Sequence, residues 1–208
     1  MLVATGSLTN LALALLTDPD LAGLIKSVVH MGGGFTPAYA GDAPLVWETP
    51  DIAADVWRNT LRFNPLFDPE ATAIVCLSGV PITLVPVNVT AQVFQRPHHL
   101  EMLAANPSDF HQHLYRYALP WLRWSMTDRR QPGAHLHDPL TLALVVRPEL
   151  VRYRQMWVDV DRLLRLEDPW LRELPLERER RGARVRVAVA VDAEACEAWI
   201  NARVAAPI

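Results

Sequence analysis

The sequence predicts an α/β fold, a mainly parallel open sheet flanked by helices. Two observations carry that expectation. Short apolar, β-branched runs alternate along the chain with longer apolar helical stretches, the pattern of strand–helix–strand crossovers. The runs Ser27 to Met31 and Ile82 to Thr90 are apolar nearly throughout instead of alternating, as strands buried on both faces are. In such sheets ligands sit beyond the carboxyl ends of the strands. The segments after Thr5, after Met31 and before Asp138 are therefore where chemistry is expected.

Taken in order, Met1 to Thr5 is a strand-like run, and after Gly6 the stretch Leu8 to Leu16 reads as an apolar helix closed by Asp18-Pro19-Asp20. Leu21 to Lys26 is a short helical turn, and Ser27 to Met31 is a strand that stops at Gly32-Gly33-Gly34. Phe35 to Leu61 has no clean period and contains Pro37, Pro44 and Pro50, so it reads as a long loop. Asp68 is a good N-cap and Pro69 a good first residue for a helix reaching about Leu77. A strand is expected over Ile82 to Thr90, interrupted by Pro86. Helices are expected over Leu100 to Asn106, Phe110 to Met126 and His137 to Val146. The second helix carries Phe110, Tyr115, Tyr117, Trp121 and Trp124, rings that suit a core or a subunit contact. Gln155 to Asp161 is a candidate strand and Leu163 to Arg184 a charged surface loop. Val185 to Val191 is a strand, and Asp192 caps a last helix through Val204.

The 208 residues fit one domain or one incomplete larger domain, with half the residues hydrophobic and 21% charged. A net charge of −3 gives no basic stripe for nucleic acid. Cys76 and Cys196 make neither a disulfide framework nor a CxxC zinc site. There is no signal-peptide pattern and no apolar run long enough to span a membrane, so the expected location is cytoplasmic.

Four segments, in this order, resemble the inosine/uridine-preferring nucleoside hydrolases. They are Thr5-Gly6-Ser7-Leu8-Thr9-Asn10, Val28 through Gly34, Phe63-Asn64 with Asp68-Pro69-Glu70-Ala71 downstream, and His137-Asp138-Pro139-Leu140. The tail Val191-Asp192-Ala193-Glu194 also looks like the family's last strand-to-helix step. The resemblance implies hydrolysis of the N-glycosidic bond of ribonucleosides to ribose and free base, through an oxocarbenium-like transition state. It implies a small-molecule ribonucleoside as partner and a homo-oligomer. The cofactor it implies is calcium, which takes about 6–8 oxygen ligands.

By the same resemblance, Asp138 matches a late metal-binding aspartate and Thr5 a residue that lends its backbone carbonyl to the metal. Each also has an ordinary reading, Asp138 as a helix N-cap and Thr5 as a strand end. Asn64 matches a residue that hydrogen-bonds the ribose, or is a turn residue before Pro65. Met31 matches a pocket-lining position, or is a core methionine. His137 matches a histidine that in some family members lies beside the leaving base and can protonate it, a catalytic task that suits a side chain titrating near neutrality, or is a loop histidine.

Two departures from the family pattern stand out. The DxDPGxDD-type run that supplies most metal carboxylates and the general base is absent. Asp18-Pro19-Asp20 and Asp159-Val160-Asp161 are its nearest matches, and neither is followed by an aspartate pair. Arg62 stands where the family has glutamate, so a hydrogen-bond acceptor is replaced by a cation. The expectation is a single domain over 1–208, truncated at its amino terminus, with weak or no activity on its own. The alternative is a catalytically inactive remnant or nucleoside-binding protein. A zinc hydrolase using His98, His99, His111, His113, His135 and His137 has no ligand spacing to support it.

Overall fold

The computed structural model describes residues 1–34, 64–165 and 182–206, together with the backbone of 176–177. The expected loop Phe35 to Leu61 and the substitution at Arg62 lie outside these residues.

The chain opens with β1 (Leu2–Ala4), α1 (Thr9–Thr17), α2 (Leu21–Leu24) and β2 (Val28–Met31). After a 3-10 turn at Asn64–Leu66 come α3 (Pro69–Leu77), β3 (Ile82–Val85) and α4 (Val87–Thr90). Next are β4 (Phe94–Gln95), α5 (Pro97–Ala105), α6 (Asp109–Thr127), β5 (Ala134–His135) and α7 (His137–Val146). The last part holds β6 (Val151–Val158), α8 (Val160–Leu164), β7 (Leu176–Glu177), β8 (Ala183–Val191) and α9 (Ala193–Ala205).

The main sheet has the order β1-β2-β3-β8-β6-β7. Its first four strands are parallel, with Val29 opposite Thr83 and Thr83 opposite Arg186. Strand β6 runs antiparallel to β8, with a register shift between Arg152 and Tyr153, and β7 runs antiparallel to β6. A separate antiparallel ladder joins β4 to β5, which the sequence reading had not anticipated. The α/β class and the mainly parallel sheet are as expected.

Both faces of the sheet are covered, which is why β2 and β3 are apolar on successive residues. One face carries α1, α3 and α8, whose Leu15, Val75 and Leu163, with Leu8 just before α1, pack on Leu84, Met156, Val185 and Val187. The other carries α7 and α9, whose Leu140, Leu144 and Ile200 pack on Val29, Val85 and Ala188. Glu197 of α9 is buried and accepts from the Phe94 backbone N–H at 2.9 Å. It also receives Arg96 in a two-pronged ion pair at 2.7 and 3.1 Å, which ties the last helix to β4 and α5.

Local chemistry sets the boundaries, and several differ from expectation. Pro86 ends β3 at Val85 because it offers no N–H to a neighbouring strand, and Val87 to Thr90 coil into α4 instead of extending the strand. Pro97 starts α5 three residues before the expected Leu100. The candidate strand at Gln155 in fact begins at Val151 and ends at Val158. The Asp159 side chain then accepts from the Arg162 N–H at 3.0 Å, so it is the N-cap of α8. Strand β8 begins at Ala183, inside the stretch expected to be loop. The aromatic stripe of α6 is not core: Phe110, Tyr117, Trp121 and Trp124 are exposed, and Trp121 packs on Trp124 with ring centroids 4.8 Å apart. No described helix is long and apolar enough to cross a membrane.

Gly32, just past β2, has φ of +142°, and a Cβ there would meet Pro65 Cδ at 2.6 Å and the Asn64 Cβ at 2.8 Å. Gly32→Ala should therefore lower the unfolding free energy by about 2–3 kcal/mol through strain and overlap. Gly23→Ala, on α2 with nothing within 4 Å, should raise it by about 0.4–1 kcal/mol. Urea denaturation of both variants checks the contrast.

Candidate active site

Thr5 follows β1 and Met31 ends β2, so both stand at the carboxyl edge of the parallel strands. Asn64 opens the 3-10 turn that crosses above them. Its Nδ2 donates to the Thr5 carbonyl at 2.9 Å and to the Met31 carbonyl at 2.8 Å, and lies 3.5 Å from Met31 Sδ. One side-chain amide thus joins the ends of two adjacent strands to a segment more than thirty residues away. Its two N–H donors are engaged with backbone, which leaves Oδ1, an acceptor, as the polar atom able to meet a ligand. The Thr5 carbonyl, one lone pair occupied by Asn64, keeps a second.

The neighbouring groups follow the same edge. The Pro65 ring lies against Gly32, and the Gly33 carbonyl accepts from the Val87 N–H at 2.9 Å, so the strand-ending glycines hold both crossing segments. At the far end of α4, Thr90 Oγ1 and His137 Nδ1 share a hydrogen bond of 2.7 Å, and the His137 ring stacks on His135 at 4.9 Å. His137 and Asp138 are the first two residues of α7, which packs against β2. Asp138 is not the N-cap. That position belongs to Leu136, which caps without a side-chain hydrogen bond, so the capping explanation of Asp138 falls away. Thr5, Met31 and Asn64 are joined by direct bonds. His137 is tied through Thr90 to α4, which follows β3, and Asp138 is its neighbour at the start of α7; among the described residues neither bonds directly to the other three.

Burial governs the titrations. It pushes the His137 imidazole down to about 3, with His135 and Arg129 acting in the same direction. His137 is therefore neutral at neutral pH, and the proton it can present is a ring N–H, not that of an imidazolium. Partial burial raises the Asp138 carboxyl above its ordinary value. His30, in the middle of β2, is pushed to about 4 by burial, although its Nδ1 lies 3.1 Å from the Ala4 carbonyl. Its Nε2 has no hydrogen-bond partner among the described residues.

Asp138 and the remaining Thr5 lone pair offer at most three oxygens, against the roughly six to eight that calcium takes. Among the described residues no cluster of three or more acidic, histidine or cysteine side chains could hold a metal. The described donors therefore do not fit a calcium ion by themselves. Thr90 and His30 were not singled out from the sequence. Thr90 lay inside what read as a strand. The imidazole of His30 has an apolar residue on each side, and nothing in that pattern marks a nitrogen for a carbonyl.

Asn64→Asp should destabilise the fold more than Asn64→Ala, despite its near-identical shape, because it turns an oxygen towards two carbonyls. The expected costs are about 3–5 kcal/mol and about 1–3 kcal/mol, read from chemical denaturation at pH 7. A second expectation concerns acid. The folded pKa of His30 lies below the ordinary 6.5. The unfolded chain therefore binds more protons between the two values. Stability should be full above about pH 6.5 and fall as the pH drops towards 4, and His30→Gln should flatten that slope. The slope should not vanish, because burial also pushes His135 to about 4.

Comparison with known proteins agrees with the geometry. The sequence profile described as "Inosine-uridine preferring nucleoside hydrolase" matches residues 1–198. The pyrimidine-specific ribonucleoside hydrolase RihA of Shewanella baltica is 34% identical over 165 residues, 77% of this chain and 45% of its own. That of Photobacterium profundum is 35% identical over 167 residues, covering 77% and 46%. This chain spans less than half the length of these relatives. Among solved structures, the purine-preferring ribonucleoside hydrolase from Gardnerella vaginalis superposes with a TM-score of 0.72 at 25% identity, covering 98% of this chain and 59% of that one. A plant nucleoside hydrolase, the PpNRh1 enzyme, gives 0.73 at 25% identity, covering 99% and 61%. The profile match over nearly the whole chain, with these relatives, makes this chain a member of the inosine-uridine preferring nucleoside hydrolase family.

Proposed function

We propose that this chain supplies the ribose- and base-facing part of a ribonucleoside N-ribohydrolase, which splits the N-glycosidic bond to give ribose and a free base. The observation that carries the reading is the Asn64 bridge across the ends of β1 and β2. It leaves a fixed amide oxygen at the sheet end where ligands of such folds bind. In this reading Asn64 Oδ1 accepts from a ribose hydroxyl and Met31 lines the pocket. His137, oriented by Thr90, offers a ring N–H to the leaving base. Asp138 and the Thr5 carbonyl contribute oxygens towards a calcium ion, and the remaining ligands and the base that deprotonates water come from outside the described residues. The relatives' names divide between pyrimidine and purine nucleosides, so the substrate is put as a ribonucleoside without a base preference. A cytoplasmic, homo-oligomeric enzyme belongs to the same reading, as the family resemblance implies.

The test measures free base and reducing sugar released from inosine and uridine. The 208-residue chain alone is expected to stay at background and to show no tight one-to-one calcium binding by isothermal titration. Joined to a relative's amino-terminal segment that carries the aspartate run, it should turn over with calcium dependence. In that chimaera, Asn64→Ala and Asp138→Ala should each lower kcat/KM at least about tenfold. Arg62→Glu should raise it by restoring an acceptor. A folded chimaera without turnover would overturn the assigned reaction. Robust calcium-dependent turnover by the chain alone would overturn the assignment of water activation to groups outside the described residues.

A further inference from the structure

A second groove lies at the opposite end of the sheet, where β2, β3 and β8 begin. It encloses about 720 Å³, and Lys26, Ser27, Thr83, Gln155, Arg184 and Arg186 contribute its polar lining. Three of these are cations and none of its lining residues is a carboxylate. Lys26 stands just before β2, while Arg184 and Arg186 point to one face of β8, two residues apart and roughly 7 Å between Cα atoms. Both arginines are exposed. Among the described residues no acid forms an ion pair with any of the three. Asp159 and Asp161 line an adjoining depression, and Asp159 is engaged as the cap of α8.

One of the cations is held in place. Arg186 Nε donates to Thr83 Oγ1 at 3.0 Å, and its guanidinium lies 4.3 Å from the centroid of the Tyr153 ring. Those two contacts restrain the guanidinium and leave its Nη hydrogens without a hydrogen-bond partner among the described residues. A pre-oriented guanidinium with unmatched charges beside it suits a phosphate, which accepts from parallel N–H groups. Two arginines on one face of β8, with Lys26 beside them, favour a ligand that carries several negative charges over one with a single charge.

We propose that this groove binds a phosphoanion with two linked phosphate groups, at a site separate from the one around Asn64. Arg186 takes one phosphate along its outer edge, Arg184 takes the other, and Lys26 adds charge from the start of β2. The proposal does not depend on the reaction assigned to the other end of the sheet.

Isothermal titration of the 208-residue chain with inorganic pyrophosphate, at constant ionic strength, tests it. One saturable site is expected, with orthophosphate binding at least tenfold more weakly. Arg184→Gln and Arg186→Gln should each raise the pyrophosphate Kd at least tenfold, whereas Arg123→Gln, an exposed arginine on α6, should leave it unchanged. Circular dichroism shows whether Arg186→Gln, which gives up the bond to Thr83, still folds. The Arg184 side chain makes no hydrogen bond or ion pair with a described residue, so its variant keeps the test valid in either case. Absence of saturable binding, or equal binding by the Arg184→Gln and Arg123→Gln variants, would overturn the proposal. Orthophosphate binding as tightly as pyrophosphate would overturn the requirement for two phosphates.

Discussion

The arrangement at the carboxyl end of the sheet depends on a single side-chain amide. Two strand-end carbonyls, those of Thr5 and Met31, would otherwise project from the sheet without a shared partner. Asn64 satisfies both. A primary amide is the group that can do this and still offer an acceptor, because its two N–H bonds and its carbonyl lie in one plane at fixed angles. Once both donors are engaged, the direction of Oδ1 is set by the sheet and not by the turn that carries it. The cost is steric: the turn must come down onto the strand end, and the absence of a side chain at Gly32 permits it.

The two ends of the sheet are chemically unlike because four of its strands run the same way. Parallel strands collect all their terminal carbonyls at one edge and all their starting residues at the other. The first edge meets helix starts, an imidazole and a carboxylate. The second meets Lys26 and the two arginines that open β8. Reversal of β6 contributes to neither edge in the same sense. Its work is to cover the flank of β8, over nearly the full length of that strand.

Much of this was legible in the residues themselves. Asp68 with Pro69, and Asp192 before its helix, name their caps by type and position, and both side chains accept the expected N–H. The glycines after Met31 announced the strand end. Thr5, Met31 and Asn64 were singled out by resemblance, and they meet through hydrogen bonds that no local pattern encodes, since 59 residues separate Thr5 from Asn64. What escaped was mostly a matter of register between distant segments. Pro86 was read as an interruption when it was a terminus. The Asp159 cap was hidden because the strand before it had been placed several residues late. The α6 rings suit a core or a subunit contact, and aromatic content alone does not say which face a helix turns inward. The environment of His137 was also invisible: its proton affinity is set by what encloses it, not by its neighbours in sequence.

Strand β1 forms the border of the sheet, and among the described residues nothing pairs with its outer side. Leu2 and Val3 are exposed on opposite faces of it, and Leu13, Leu16 and Leu24 are exposed on the helices that follow. Edge strands are ordinarily blunted by a charge, a proline or a bulge, and Leu2-Val3-Ala4 has none of these. The peptide groups of Leu2 to Ala4 that face away from β2 thus bring backbone donors and acceptors together with apolar side chains, the chemistry by which an extended neighbour pairs with a sheet.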